Sequence, residues 1–273
     1  MSNIKRINLL SDAEIEDLYS RPCFNANERK LYFNLDKAEL KILEKYSTPK
    51  TIIYFILQLG YFKAKQQFFD FSFESVEADA TYIIKAFAIE SPLTLSGYIS
   101  RNYIRWQRQE ILTLCNYKNW VVEYEQQITH HICELLKFYP KTSGMLRHLL
   151  DYFEKQQIVM PGYRSLQDMF TAACVTEERR LSSIMICIPQ NIQQQLSDLI
   201  EKNEEITRLN IIKADQKNFQ FTAVRAEVDK ALLITEIYEF SKWFIPKLQI
   251  AKNAVHYYAE LVEQYPPFRL RKL

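Results

Sequence analysis

The sequence predicts an all-α protein built from several helical modules, and three observations carry that prediction. Glycine occurs only four times in 273 residues, too few for a turn-rich β protein or a phosphate-cradling loop. Apolar residues recur at i, i+3, i+4, i+7 in one segment after another. Capping-box pairs, Ser11 with Glu14 and Asp36 with Glu39, stand at the head of such segments. The composition is ordinary for a globular chain, 48% hydrophobic and 25% charged. With 17 Tyr and 17 Phe, the cores should be rich in aromatic rings. The net charge is only +2, so nucleic-acid binding would have to come from local faces rather than a global field.

Taken in order, the first helix opens at the Ser11 box and runs to about Tyr19, where Arg21-Pro22 ends it. The second runs from Asp36 to Tyr46. The third begins at Pro49 and is the centre of the chain. Ile52, Ile53, Phe55, Ile56, Leu59 and Phe62, with Tyr54, Leu57 and Tyr61 between them, make it apolar on nearly every side, the mark of a core helix. Thr48 can cap it, and Pro49 suits the first helical position. Gly60 costs roughly 1 kcal/mol against alanine in a helix interior, so the expected return is close approach of another helix. Lys63 and Lys65 close the helix, followed by Phe68, Phe69 and Phe71. Ser75 to Ala88 reads as the next helix, and Ser91-Pro92 breaks the chain.

The helix expected from about Ser96 to Cys115 is the most informative. Tyr103, Ile104, Ile111, Leu114 and Cys115 share one arc, and Arg101, Arg105 and Arg108 share another at i, i+4, i+7. Glu110 is the only acid between Ser96 and Trp120, and Lys118 is a fourth base, which leaves +3 locally. A guanidinium stripe suits phosphate contact, because each offers a paired fork of donors. The same stripe also suits a solvated face that pairs with acids elsewhere in the chain.

A second module is expected from Trp120. One helix reaches Phe138, a turn occupies Pro140 to Ser143, and a helix to Gln157 carries Leu146, Leu149, Leu150 and Phe153. Pro161-Gly162 marks a turn. Ser165 should cap a helix with Leu166, Met169, Phe170 and Ala173, and Thr176 should cap the next, with Glu177 and Glu178 in its first turn. Three short helices with tight links over 143–188 have the format of a helix-turn-helix module. A helix from Pro189 to about Leu209 and a polar connection from Ile211 to Phe221 follow. A long helix from Thr222 to Phe244 comes next, broken by Ile245-Pro246, then a last one from Leu248 to Tyr265. FRLRKL is a basic tail. The modules expected are therefore 1–120, 121–200 and a long helical pair over 201–273.

Several of these stretches carry a family resemblance. LQLGYFKAKQQFF, preceded by YFNLDKAELKIL at Tyr32 to Leu43, resembles the opening of the DUF4158-like N-terminal region of Tn3-family transposases. QRQEILTLCNYKNW is similar to that family's basic helix running into a turn. Asn116 stands at the glycine-like position, and asparagine tolerates the left-handed cap. IVMPGYRSLQDMFTAACVTEERRL and AVHYYAELVEQYPPFRLRKL resemble later passages in the same order, so the resemblance runs over almost the whole chain. It implies binding to double-stranded DNA at the terminal inverted repeats of a transposon, with self-association in the full-length transposase. By charge and placement the candidate contacts are Lys63, Lys65, Arg101, Arg105, Arg108, Lys118, Lys141, Arg147, Arg164, Arg179 and Arg180. The family's catalytic acids lie in a later RNase-H-like domain, so this chain is expected to be non-catalytic, as an N-terminal part or a truncated reading frame.

No nucleotide-binding loop, nucleophile elbow or HExxH occurs. His130, His131 and Cys133 are close in sequence, but structural zinc wants four ligands and a fourth is not evident, so neither metal nor cofactor is expected. Five cysteines without CxxC read as free thiols of a reducing compartment, and no run of about 18 uncharged apolar residues offers a membrane span. The expectation is a soluble cytoplasmic protein that makes no membrane contact. From another class, a helical protein–protein scaffold would use aromatic faces and near-neutral charge equally well.

Overall fold

The computed structural model describes residues 6–90, 99–139, 141–200, 208–215 and 218–265. Among them the fold is all-α: thirteen α-helices, one 3-10 turn, and a single isolated bridge between Lys118 and Ile158. The chain falls into two compact units. The first comprises 6–125 and 146–168, the second 126–145 and 169–265 among the described residues.

In the first unit, α1 (Asp12–Tyr19), α2 (Ala26–Tyr32) and α3 (Lys37–Leu43) each open with a complete capping box, on Ser11, Asn25 and Asp36. The second of these boxes, Asn25 with Glu28, opens a helix the sequence reading passes over. Helix α4 (Pro49–Lys65) is capped by Thr48, has Pro49 in its first turn, and buries every residue from Ile53 to Phe62. Each fully buried Leu, Ile or Phe contributes about 1.5–3 kcal/mol, so α4 dominates the stability of this unit. Gly60 meets the expectation of a close approach. A methyl there would lie 2.4 Å from the Phe33 ring.

Two polar networks fix what surrounds α4. The buried Asp79 of α5 (Glu77–Ala86) accepts from Tyr61 at 2.7 Å and from Arg29 at 2.7 Å, with Arg21 at 3.8 Å. Burial and this hydrogen bond push the Tyr61 phenol well above its ordinary pKa. Gln58 Nε2 donates to the Phe69 carbonyl at 2.7 Å, pinning the segment after α4. Helix α6 (Arg101–Cys115) starts at a Ser100 cap and stops at Asn116 in the left-handed conformation (φ 57°), as the cap chemistry predicts. The expected start at Ser96 and the break at Ser91-Pro92 fall on 91–98, outside the described residues.

The rest of the first unit is a strap. Lys118 N donates to the Gln157 carbonyl at 2.6 Å, and Val159 N returns a bond to the Lys118 carbonyl at 3.0 Å. The Tyr163 hydroxyl accepts from the Leu9 and Leu10 amides, and Tyr19 donates to the Pro161 carbonyl at 3.1 Å.

Helices α7 (Glu123–Phe138), α8 (Thr142–Gln156) and α9 (Tyr163–Ile186) contribute residues to both units. Here several expectations are corrected. Ser165 does not cap its helix, which already starts at Tyr163, with the Leu166 amide donating to the Gly162 carbonyl at 3.2 Å. Thr176 does not cap a new helix. It lies inside the 24-residue α9, its hydroxyl donating to the Ala172 carbonyl at 2.9 Å. The three short helices expected over 143–188 are therefore two, because no Gly or Pro between Leu166 and Thr176 lets the chain leave the helix. Likewise Pro246 does not end its helix.

In the second unit, α10 (Gln190–Ile200) lies within the expected helix, and α11 (Arg208–Lys213) runs on into the stretch expected as a polar connection. Residues 201–207 lie outside the described residues. Helix α12 (Phe221–Leu248) continues past Pro246 and stops at Gln249 in the left-handed conformation. Helix α13 (Lys252–Gln264) is tied at its start to the end of α7, through Ala251 N to the Lys137 carbonyl and Asn253 Nδ2 to the Phe138 carbonyl. The basic FRLRKL tail lies outside the described residues from Pro266 onward.

Candidate nucleic-acid interface

Helix α6 turns two faces in two directions. Ile111, Leu112 and Gln107 are buried, and Gln107 Nε2 donates to the Thr51 carbonyl of α4 at 2.8 Å. That anchoring sets the helix rotation and leaves Arg101 and Arg105 exposed. Neither makes an ion pair among the described residues. The one acid of the helix, Glu110, is paired with Lys45 at 2.7 Å, so it does not offset the arginine charge.

The third arginine behaves differently. Arg108 Nη2 donates to Asp70 at 2.6 Å and to the Phe69 carbonyl at 3.2 Å, and its guanidinium lies 5.2 Å from the Phe68 ring centroid. Its Nε is buried and has no hydrogen-bond partner. Asp70 itself is 91% exposed. Together α6 and the segment after α4 enclose an open groove of about 820 Å³. Tyr54, Phe68, Phe71, Ile104 and Leu112 supply its apolar lining; Arg101, Arg105, Arg108 and Asp70 supply charge; Asn102, Gln109 and Asn119 supply amides. Lys118, next to Asn119, is exposed, and its backbone is held by the bridge to Ile158.

The other sequence-derived candidates divide by what already holds them. Lys63 donates to Glu39 at 2.8 Å and to the Asn34 carbonyl at 3.0 Å. Lys65 donates to the Asp17 carbonyl. Both ammonium groups are thus spent tying α4 to its neighbours. Arg147 and Arg164 are exposed on the parts of α8 and α9 that belong to the first unit. Arg164 stands near Asp168, whose carboxyl the Arg6 guanidinium holds below its ordinary pKa through a 2.5 Å bond.

In the second unit, Arg180 is bound to Glu177 at 2.5 Å and to the Leu248 carbonyl at 2.7 Å. Arg179 is exposed, and Lys141 lies 5.5 Å from the Tyr257 ring centroid. The structure gathers Arg101, Arg105 and Arg108 into one groove and commits Lys63, Lys65 and Arg180 inward.

The groove's remaining lining was not singled out from sequence. Its one advance signal was the cluster of aromatics just past Lys65. Among the described residues no three His, Cys, Asp or Glu side chains gather as a metal site would need, and no helix is long and apolar enough to cross a membrane.

A family model described as "Domain of unknown function (DUF4158)" matches residues 9–173, a span that includes the whole groove. No curated protein matches the chain.

Proposed function

The chain belongs to the DUF4158 family, and we propose that it binds duplex DNA as the terminal-repeat-binding part of a Tn3-family transposase, without catalysis of its own. The observation that carries this reading is the α6 stripe. Arg101 and Arg105 are exposed and unpaired among the described residues, and the helix's lone acid is already neutralised by Lys45. Unpaired guanidiniums one helical turn apart suit successive phosphate oxygens, because each can donate two parallel bonds. Arg101, Arg105 and Lys118 position the protein. The exposed Arg147 and Arg164, on the parts of α8 and α9 that belong to the same unit as α6, are the side chains we assign to base edges, since phosphate contacts carry no sequence information.

The test is a mobility shift of the whole chain on duplexes selected from a random pool, run across a salt series. Each neutralised phosphate adds about −0.9 to the log–log slope, so three contacts give a slope near −3, and Arg105→Ala should reduce it by roughly one. Arg105→Ala should weaken selected and random duplexes alike. Arg164→Ala should cost roughly 1–3 kcal/mol more on the selected one. Absence of a shift on every duplex would favour the scaffold alternative. One feature speaks for that alternative: Phe221, Val224, Val228, Leu232 and Tyr238 of α12 are exposed.

A further inference from the structure

We propose that the groove beside α6 takes one unpaired nucleotide of the bound DNA rather than a length of paired backbone. This rests on the DNA-binding reading above and adds what the groove recognises.

The first ground is shape. An α-helix that reads a duplex projects into the major groove, about 12 Å wide. The arginine stripe instead borders a concavity. Its volume of about 820 Å³ lies in the range of sites that enclose small ligands, roughly 300–1,000 Å³.

The second ground is the floor. Phosphate binding has no use for the half-buried side chains of Phe71, backed at 4.7 Å by the buried Tyr54 ring, and of Ile104, whereas an unstacked base has lost apolar contact and needs it replaced. Phe68 is not the platform. One neighbour, Phe62, stacks on it at 4.8 Å, and the Arg108 guanidinium lies over it at 5.2 Å. That sandwich instead holds the planar guanidinium of Arg108 fixed at the groove, and bases splayed from a strand stack on guanidinium planes as readily as on rings.

The third ground is the amides. Asn102, Gln109 and Asn119 each offer a donor beside an acceptor, which matches the hydrogen-bonding edge of a base and not a phosphate. Arg101 and Arg105, on the same lining, are left for the phosphates on either side.

The test uses the whole chain and one selected duplex in two forms, fully paired and with a single-nucleotide bulge moved along it. A 2-aminopurine at the bulge reports its stacking. One bulge position should bind roughly tenfold tighter than the paired form, with a change in 2-aminopurine fluorescence on binding. Phe71→Ala should remove that preference while leaving paired-duplex affinity in place. Asn102→Ala, at an exposed position, should do the same without risk to the fold. Equal binding of all bulged and paired forms overturns the proposal while leaving duplex binding intact. So does an equal loss on both forms in the two variants. If no DNA of any form binds, the DNA-binding reading itself is lost.

Discussion

At the scale of single residues, Asp70 is the most consequential neighbour of the arginine stripe. Its carboxylate occupies Arg108 at 2.6 Å from a position 91% exposed. A surface pair of this kind is worth under about 1 kcal/mol, so losing it costs the fold little, while its exposed carboxylate repels the phosphates drawn to Arg101 and Arg105. Asp70→Asn should therefore raise affinity for paired duplex severalfold at low salt by removing that repulsion, an effect that salt screens out. The melting temperature should hardly move. Unchanged affinity at low salt would mean that no phosphate comes near Asp70. The thiols give a second residue-scale prediction. Burial pushes the Cys115 thiol up to about 11, and it raises Cys133 and Cys174 as well, whereas Cys23 and Cys187 are exposed. Because the thiolate is the reactive form, a disulfide reagent at pH 8 should modify Cys23 and Cys187 first and Cys115 last. The sign for stability follows. A thiol raised by burial contributes fully below its unfolded value of about 8.5, and that contribution is lost as pH rises from there through about 11. Fast labelling of Cys115 in the folded protein would contradict both statements.

At the scale of elements, helix starts were legible where a capping side chain coincided with a chain that had to turn. Ser11, Asp36, Thr48 and the left-handed stop at Asn116 all behave as their chemistry dictates. Thr176 shows why the same residue type misleads elsewhere. Followed by two glutamates it has the pattern of an N-cap, but that pattern has meaning only if the preceding residues leave the helix. Ala172, Ala173, Cys174 and Val175 do not, and the Thr176 hydroxyl satisfies itself on the Ala172 carbonyl. The two readings predict opposite signs. Loss of a cap costs about 1 kcal/mol, whereas replacing a mid-helix threonine by alanine gains up to about 0.7 kcal/mol of helix propensity. Thr176→Ala should therefore leave urea stability unchanged or slightly raised; a clear loss would restore a break at that point. Pro246 repeats the lesson, since α12 runs two residues past it before stopping at Gln249.

At the scale of the molecule, the arginine stripe was visible in the sequence because it lies on one helix, where spacing alone defines a face. The groove was not. Tyr54 reaches it from α4, and Phe68 to Phe71 reach it only because Gln58 pins the Phe69 carbonyl and Arg108 holds Asp70, contacts that no local pattern encodes. The same distinction between buried and surface elements governs how the chain opens. Ten consecutive residues of α4, Ile53 to Phe62, are buried, so exposing their amides means dismantling the core around Phe33, Tyr61 and Asp79. Helix α12 is the opposite case. It has no side-chain bond at its N-cap, and apolar residues such as Leu232 and Tyr238 lie 65% and 58% exposed. Native-state hydrogen exchange should therefore find the slowest amides in α4, with an opening free energy equal to that of global unfolding, and cheaper openings along α12. If α12 proves as protected as α4, something covers its apolar face in solution. Repeating the measurement at several protein concentrations identifies the cover: protection that rises with concentration means a second copy of the chain, and protection that does not change means contact within one chain.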